Sequence, residues 1–170
     1  CLDRQLLVFG EDDADIEATA DLLLAIKAAT PGLRLSLGVS TFVPKAHTPF
    51  QWAAQLGWQQ TDARLALLRE AIRSDRELGR AIGFRYHDGR PGIVEGLLAR
   101  GDRRIGAVIE QVWRDGGRFD GWSEYFDFDR WMAAAQAVGI DVDWYTTRER
   151  DLTEVLPWDH FDVGVKKAGL

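Results

Sequence analysis

Apolar and polar residues alternate most cleanly between Leu33 and Val43. Leu33, Leu35, Leu37 and Val39 interleave with Arg34, Ser36, Gly38 and Ser40, the period of a strand with one buried face. Upstream, Leu6-Leu7-Val8-Phe9 is a short apolar run that predicts a buried strand ending at Gly10. Asp12, Asp13 and Asp15 then offer side-chain acceptors and negative charge, which suit the free N–H groups of a helix start. Ile16, Ala20, Leu23 and Ile26 or Lys27 follow at helical spacing, and Pro31-Gly32 stops the run. The product is a strand–helix–strand unit, which favours a right-handed crossover and parallel strands. Further on, Thr61 is placed to cap a helix striped by Leu65, Leu68 and Ile72 and ended by Gly79. Ala81 to His87 predicts another strand with Ile82, Phe84 and Tyr86 on one face.

Beyond about residue 90 the pattern becomes helical. Pro91 suits a first helical turn, Ile93, Val94, Leu97 and Leu98 give an apolar side, and Gly101 ends it. Asp102 is placed to cap a second helix, in which Ile105, Val108, Ile109 and Val112 match i, i+3, i+4, i+7; Gly116-Gly117 ends it. Asp127 is placed to cap a third, with Phe128, Trp131, Met132 and Ala135 inward and Gly139 after it. Val142 to Tyr145 predicts a short strand. The expected division is an α/β part over 1–90 and a mainly helical part over 91–170.

Composition narrows the function classes. The chain has 170 residues, a formal net charge of −6 and one cysteine. That charge disfavours a non-specific nucleic-acid binder, and Arg100, Arg103, Arg104 and Arg118 read as a solvated face or an anion-contacting patch. Cys1 alone excludes an internal disulfide framework, so a reducing cytoplasm is expected. No apolar stretch reaches the ~20 residues of a membrane span, and Leu6–Phe9 is too short for a signal peptide. A chain that begins with Cys suggests a piece of a longer protein.

Familiar catalytic signatures are missing. Neither G-x-G-x-x-G nor G-x-x-x-x-G-K-[ST] occurs, nor does G-x-S-x-G. His47, His87 and His160 lie far apart in sequence. Asp159-His160-x-Asp162 offers a carboxylate–imidazole pair, part of a metal site, or a tail that docks by hydrogen bonds; His87-Asp88 sits at a strand end, and Glu124 is a general-base candidate or a loop anchor. Among the seven tryptophans, Trp113 and Trp131 read as core, whereas Trp52 and Trp58 flank a loop and could stack on a ligand.

The run Ser40-x-Phe42-Val43-Pro44-Lys45-x-His47-Thr48-Pro49-Phe50-Gln51-Trp52 follows the best strand. It resembles the late-strand motif of radical S-adenosylmethionine proteins, closest to a subgroup with a cobalamin-binding-type domain ahead of the radical domain. Leu97–Asp102 with Arg103-Arg104, Phe119–Glu124 and Leu156–His160 extend the resemblance over nearly the whole chain. It implies an α/β fold: the later portion of a partial (β/α) barrel, followed by a mainly helical C-terminal region. It further implies a 4Fe–4S cluster, S-adenosylmethionine cleaved to a 5′-deoxyadenosyl radical, and cobalamin as a further cofactor to test. Three cysteines in C-x-x-x-C-x-x-C would hold the cluster. This chain has no such run, so the upstream part of the same protein is expected to supply it and complete the barrel. Carried onto this sequence, the resemblance puts Ser40, Phe42, Val43 and Pro44 on the cofactor side, and Lys45 and His47 on the substrate side or in a loop. Ala46 stands where the family has proline. Gly10 runs directly into Glu11-Asp12-Asp13, where the family has a Gly-Leu-Pro-x-Glu-Thr-like turn. Val43 and Thr48 precede prolines and are expected to be extended, so that the loop projects with Phe50 and Trp52 as anchors.

Two other readings stand beside this one. One is a non-catalytic α/β module that binds a partner through the aromatic loop 42–58. The other is a hydrolase or lyase using Glu124, His87 or His160, although no nucleophile–base pair is readable.

Overall fold

The computed structural model describes residues 2–5, 12–30 and 32–170. The expected strand at Leu6–Phe9 and the Gly10-Glu11 turn lie outside the described residues. The chain forms two compact units: residues 1–42 with 58–89, and residues 43–57 with 90–170. The sequence pattern put 43–57 with the first unit, on continuity with its strand. The structure groups it with the second, where its buried side chains find their partners.

The first unit is a parallel α/β layer. Strands β1 (Leu2–Gln5), β2 (Leu35–Ser40) and β3 (Ile82–Tyr86) lie in the order β1-β2-β3. Both pairings are parallel, with Leu2 opposite Leu37 and Leu35 opposite Ile82. Helix α1 (Asp13–Ala29) connects β1 to β2. Asp12 caps it through a reciprocal box: its carboxylate accepts from the Asp15 N–H, while the Asp15 carboxylate accepts from the Asp12 N–H, both at 3.1 Å. This satisfies two N–H groups that have no partner inside the helix. Helices α2 (Trp58–Ser74) and α3 (Arg76–Ala81) connect β2 to β3. Ile16, Ala20 and Leu23 of α1, Leu37 and Val39 of β2, Leu65, Leu68 and Ile72 of α2 and Ile82 are buried, and α1 packs against α2.

Three details differ from the sequence pattern. β2 begins at Leu35, and Leu33 is exposed. Thr61 lies inside α2 and is buried, because the helix starts at Trp58, four residues before the Asp62 start that a Thr61 cap would give. Gly79 does not end α2: it sits in α3, after a break at Asp75.

The second unit is helical. Helices α4 (Gly89–Arg100, its residues from Arg90), α5 (Ile105–Arg114), α6 (Phe128–Ala137) and α7 (Val142–Tyr145) form it. Its core joins Val94, Leu97, Ile105, Val108, Val112, Trp131, Ala134, Ala135 and Tyr145. Asp127 caps α6 by accepting from the Arg130 N–H at 3.1 Å. Gly116 and Gly139 end α5 and α6 at φ +87° and +73°, a conformation in which glycine avoids the Cβ clash. Val142–Tyr145 is a helical turn rather than a strand, because the Asp141 carboxylate accepts from the Asp143 and Trp144 N–H groups. Asp102 caps the turn that leads into α5 and is not the residue next to the helix: its carboxylate accepts from the Arg104 N–H at 2.9 Å, and also from the Arg104 guanidinium and the Tyr145 hydroxyl. Trp113, expected in the core, is exposed with the Arg118 guanidinium over its ring, and Leu98 and Ile109 are also exposed. No helix among the described residues is long and apolar enough to cross a membrane.

Candidate functional site

In parallel α/β layers, ligands bind beyond the carboxyl ends of the strands. In the first unit Ser40 ends β2 with its side chain exposed, and Phe42, two residues on, is half-buried. Tyr86 ends β3, followed by exposed His87 and Asp88. Beside this end, Asp62, Leu65, Ala66 and Arg69 of α2 line a shallow cavity of about 200 Å³ with Tyr86 and Asp88. The Arg69 guanidinium donates to the Tyr86 hydroxyl at 2.8 Å and lies 5.1 Å from the centre of that ring. Asp62 accepts from the Gly89 N–H at 3.3 Å.

In the second unit the 43–57 segment packs inward instead of projecting. Val43 is half-buried and Pro44 is enclosed. The Lys45 ammonium pairs with Glu95 of α4. His47 is half-buried and adopts φ 56°, a region that non-glycine residues rarely occupy. Gln51, almost fully buried, organises the loop: its Oε1 accepts from the Trp158 indole N–H at 2.7 Å and from the His47 N–H at 3.2 Å. Trp52 is buried against Leu156 and Trp158, with Ala46 packed on the same cluster. The Arg150 N–H donates to the Trp52 carbonyl at 2.9 Å, and the Gln55 N–H to the Thr146 carbonyl at 3.1 Å. The loop therefore packs onto tertiary partners and does not project as expected. Trp52 is an anchor, as expected, but is not available to stack on a ligand, and Phe50 is exposed.

This packing brings the 43–52 part of the run and the tail together within the second unit. His47, Gln51, Asp159, His160, Lys166 and Lys167 line much of a cavity of about 440 Å³. Within it, the Asp159 carboxylate accepts from the Leu156 N–H at 2.9 Å and from the Lys167 ammonium at 2.7 Å. Lys167 also donates to the Glu154 carbonyl at 2.7 Å. Burial pushes the Asp159 carboxyl up, but the Lys167 and Leu156 hydrogen bonds and the nearby Lys167 and His47 charges outweigh it. The group is held below the usual carboxylate range. Asp159 is thus an anionic acceptor already committed to the fold, and the His47 and His160 imidazoles also line the cavity wall. Among the described residues, no three His, Cys, Asp or Glu side chains are grouped to hold a metal ion.

No protein-family profile, curated protein or solved structure matches the chain.

Of the residues singled out in sequence, His47, Asp159, His160 and Asp162 share this one cavity. Glu124 does not line it: it lies in the exposed loop before α6, where the Ser123 hydroxyl approaches its carboxylate at 3.4 Å. The arginine patch does not form as expected, because Arg100 is fully buried. Its guanidinium donates to the Thr146 carbonyl at 2.7 Å, and that of buried Arg150 donates to the Arg100 carbonyl at 3.0 Å. Burial, together with the Arg150 and Arg148 charges, lowers the Arg100 pKa to about 10. A signal for this burial was present: Ile93, Gly96, Leu97 and Arg100 fall at i, i+3, i+4, i+7 on one face of α4. Gln51 and Lys167 gave no such signal, since their partners lie far away in sequence.

Proposed function

We propose that the chain is the later part of a radical S-adenosylmethionine barrel with its C-terminal region. The observation that carries this reading is the sheet order. Three strands follow one another as parallel neighbours, and the helices α1 and α2 that connect them pack together. A singly wound βαβαβ run with its helices together is the repeating step of a (β/α) barrel and equally of each half of a doubly wound sheet, so it supports the barrel together with the resemblance of the run that leaves β2. The run Ser40–Trp52 leaves the carboxyl end of the middle strand, where such barrels bind ligands.

The residues divide the work as follows. Ser40 supplies an exposed hydroxyl, and Phe42 and Val43 supply half-buried apolar surface. A hydroxyl suits the edge of an adenine, and apolar surface suits its face. Pro44 is enclosed and supports the turn from within. Lys45 and His47 belong to the substrate side, where His47 opens on the cavity it shares with His160. The chain does not fit a 4Fe–4S cluster, which takes three cysteine thiolates here, because Cys1 is its one cysteine. No step of the reaction is assigned through the cluster. The partner-binding alternative is weakened by the burial of Trp52 in the loop it would use.

The test uses the full-length protein. The reading frame upstream of Cys1 should encode C-x-x-x-C-x-x-C. Anaerobic reconstitution should give the broad visible absorbance of thiolate-bound iron. Phe42→Ala should weaken S-adenosylmethionine binding several-fold without changing that absorbance. A full-length protein that retains no iron would overturn the assignment.

A further inference from the structure

Exposed aromatic residues concentrate in one part of the second unit. Phe119, Trp122 and Tyr125 are 72%, 62% and 56% exposed, and Trp113 is 58% exposed. Their spacing has a structural cause. The Trp122 N–H donates to the Phe119 carbonyl at 2.9 Å, and the Tyr125 N–H to the Trp122 carbonyl at 3.0 Å. These i→i+3 turns bring side chains three apart to one edge, and the Phe119 and Tyr125 ring centres lie 6.0 Å apart.

The same loop is acidic. Residues 115–129 hold five carboxylates and one cation, Arg118. Asp115 accepts from Gln111 and Asp127 pairs with Arg130. Asp120, Glu124 and Asp129 have no cationic partner among the described residues, and the buried Oδ1 of Asp120 has no hydrogen-bond partner there. Arg118 is already used: it donates to the Trp113 and Gly117 carbonyls, both at 2.6 Å, and lies 4.9 Å from the centre of the Trp113 ring.

That stacked pair shows what this surface accepts. Within the unit, Tyr145, Trp144 and Trp158 each also carry a guanidinium over the ring, from Arg104, Arg148 and Arg150. Phe119, Trp122 and Tyr125 carry none among the described residues. We infer that the 119–125 edge is a docking surface for an arginine-rich segment of a partner polypeptide. Guanidinium planes stack on the three open rings, and Asp120, Glu124 and Asp129 meet their charge. Aromatic faces attract cations, and arginine stacks on them better than lysine. The unpaired carboxylates oppose a phosphate backbone, so nucleic acid is the disfavoured occupant.

The test measures binding of fluorescent octa-arginine, octa-lysine and oligo-dT to the full-length protein at about 0.15 M salt. Octa-arginine should bind more tightly than octa-lysine, and oligo-dT should not bind. The variant Phe119→Ala/Trp122→Ala/Tyr125→Ala keeps every charge and should bind octa-arginine about tenfold more weakly. Asp120→Asn/Glu124→Gln should reduce binding and flatten its salt dependence. Phe119, Trp122, Tyr125 and Glu124 are exposed and Asp120 is half-buried, and unchanged circular dichroism would show that the variants fold. Equal octa-arginine affinity in the aromatic variant would reduce the effect to bulk acidity and overturn the inference. Absence of peptide binding, binding of oligo-dT, or self-association abolished by the aromatic variant would also overturn it, the last by making a second copy the occupant.

Discussion

Gly96 sits where α4 passes the Gln55 side chain. A Cβ there would lie 1.9 Å from Gln55 Oε1. Gln55 has little freedom to move away, since it is buried and its amide donates to the Gly92 carbonyl at 2.6 Å. Gly96→Ala should therefore destabilise by about 1–3 kcal/mol through overpacking, read by urea unfolding of the full-length protein. Truncating the neighbour in the double variant Gly96→Ala/Gln55→Ala should recover part of that loss. Simple additivity of the two losses would mean that the close approach is not the cause. Asp102 makes a prediction in pH. The Arg104 side-chain hydrogen bond, opposed by burial and aided by the Arg104 N–H and the Tyr145 hydroxyl, lowers its pKa to about 2. An unfolded aspartate titrates near ~3.9. Its stabilisation is therefore complete above about pH 4 and is lost as pH falls towards about 2. In Asp102→Asn the fall in unfolding free energy across that window should be shallower than in the parent. Parallel curves would show that Asp102 is not a source of acid sensitivity.

At the scale of elements, the C-terminal ends of α4 and α7 are closed by buried guanidiniums. Arg100 reaches the Thr146 carbonyl and Arg150 reaches the Arg100 carbonyl. Helix C-termini carry partial negative charge, which offsets part of the cost of burying these cations. The Arg150 backbone N–H also bonds the Trp52 carbonyl, so the clamp extends to the 43–57 segment. Lysine lacks the planar fork needed to reach such carbonyls. Arg100→Lys should cost about 1–3 kcal/mol, the scale of a buried polar group left unpaired, and it should speed amide exchange at Gln55. An unchanged thermal midpoint would remove the clamp from the argument. The α6 cap is a simpler case. Asp127→Ala should cost about 1 kcal/mol, and Asp127→Asn should restore most of it, because asparagine keeps an acceptor for the Arg130 N–H.

At the scale of the whole molecule, β2 pairs on both sides, so its amides should exchange slowest in the sheet. Fast exchange throughout Leu35 to Ser40 would show that the layer is not stably formed. Much of each unit was legible in sequence. Alternation placed β2 and β3, helical spacing placed Ile16, Ala20, Leu23, Leu65, Leu68 and Ile72 in the core, and Asp12 and Asp127 marked helix starts. These features depend on residues within a turn or two of each other. Other features required tertiary structure. Val142–Tyr145 has a β-branched and aromatic composition, yet the Asp141 cap makes it helical. Arg100 is charged, yet α4 faces it inward, onto carbonyls of the 146–148 segment. The Ser40–Trp52 run shows the same division. Its residues alone fixed the strand end, the two prolines and Trp52 as an anchor, whereas Phe50, expected to anchor as well, is exposed. Gln51 meets Trp158 across 107 residues, and that long-range bond, absent from any local pattern, turns a loop expected to project into the wall of a cavity with the tail.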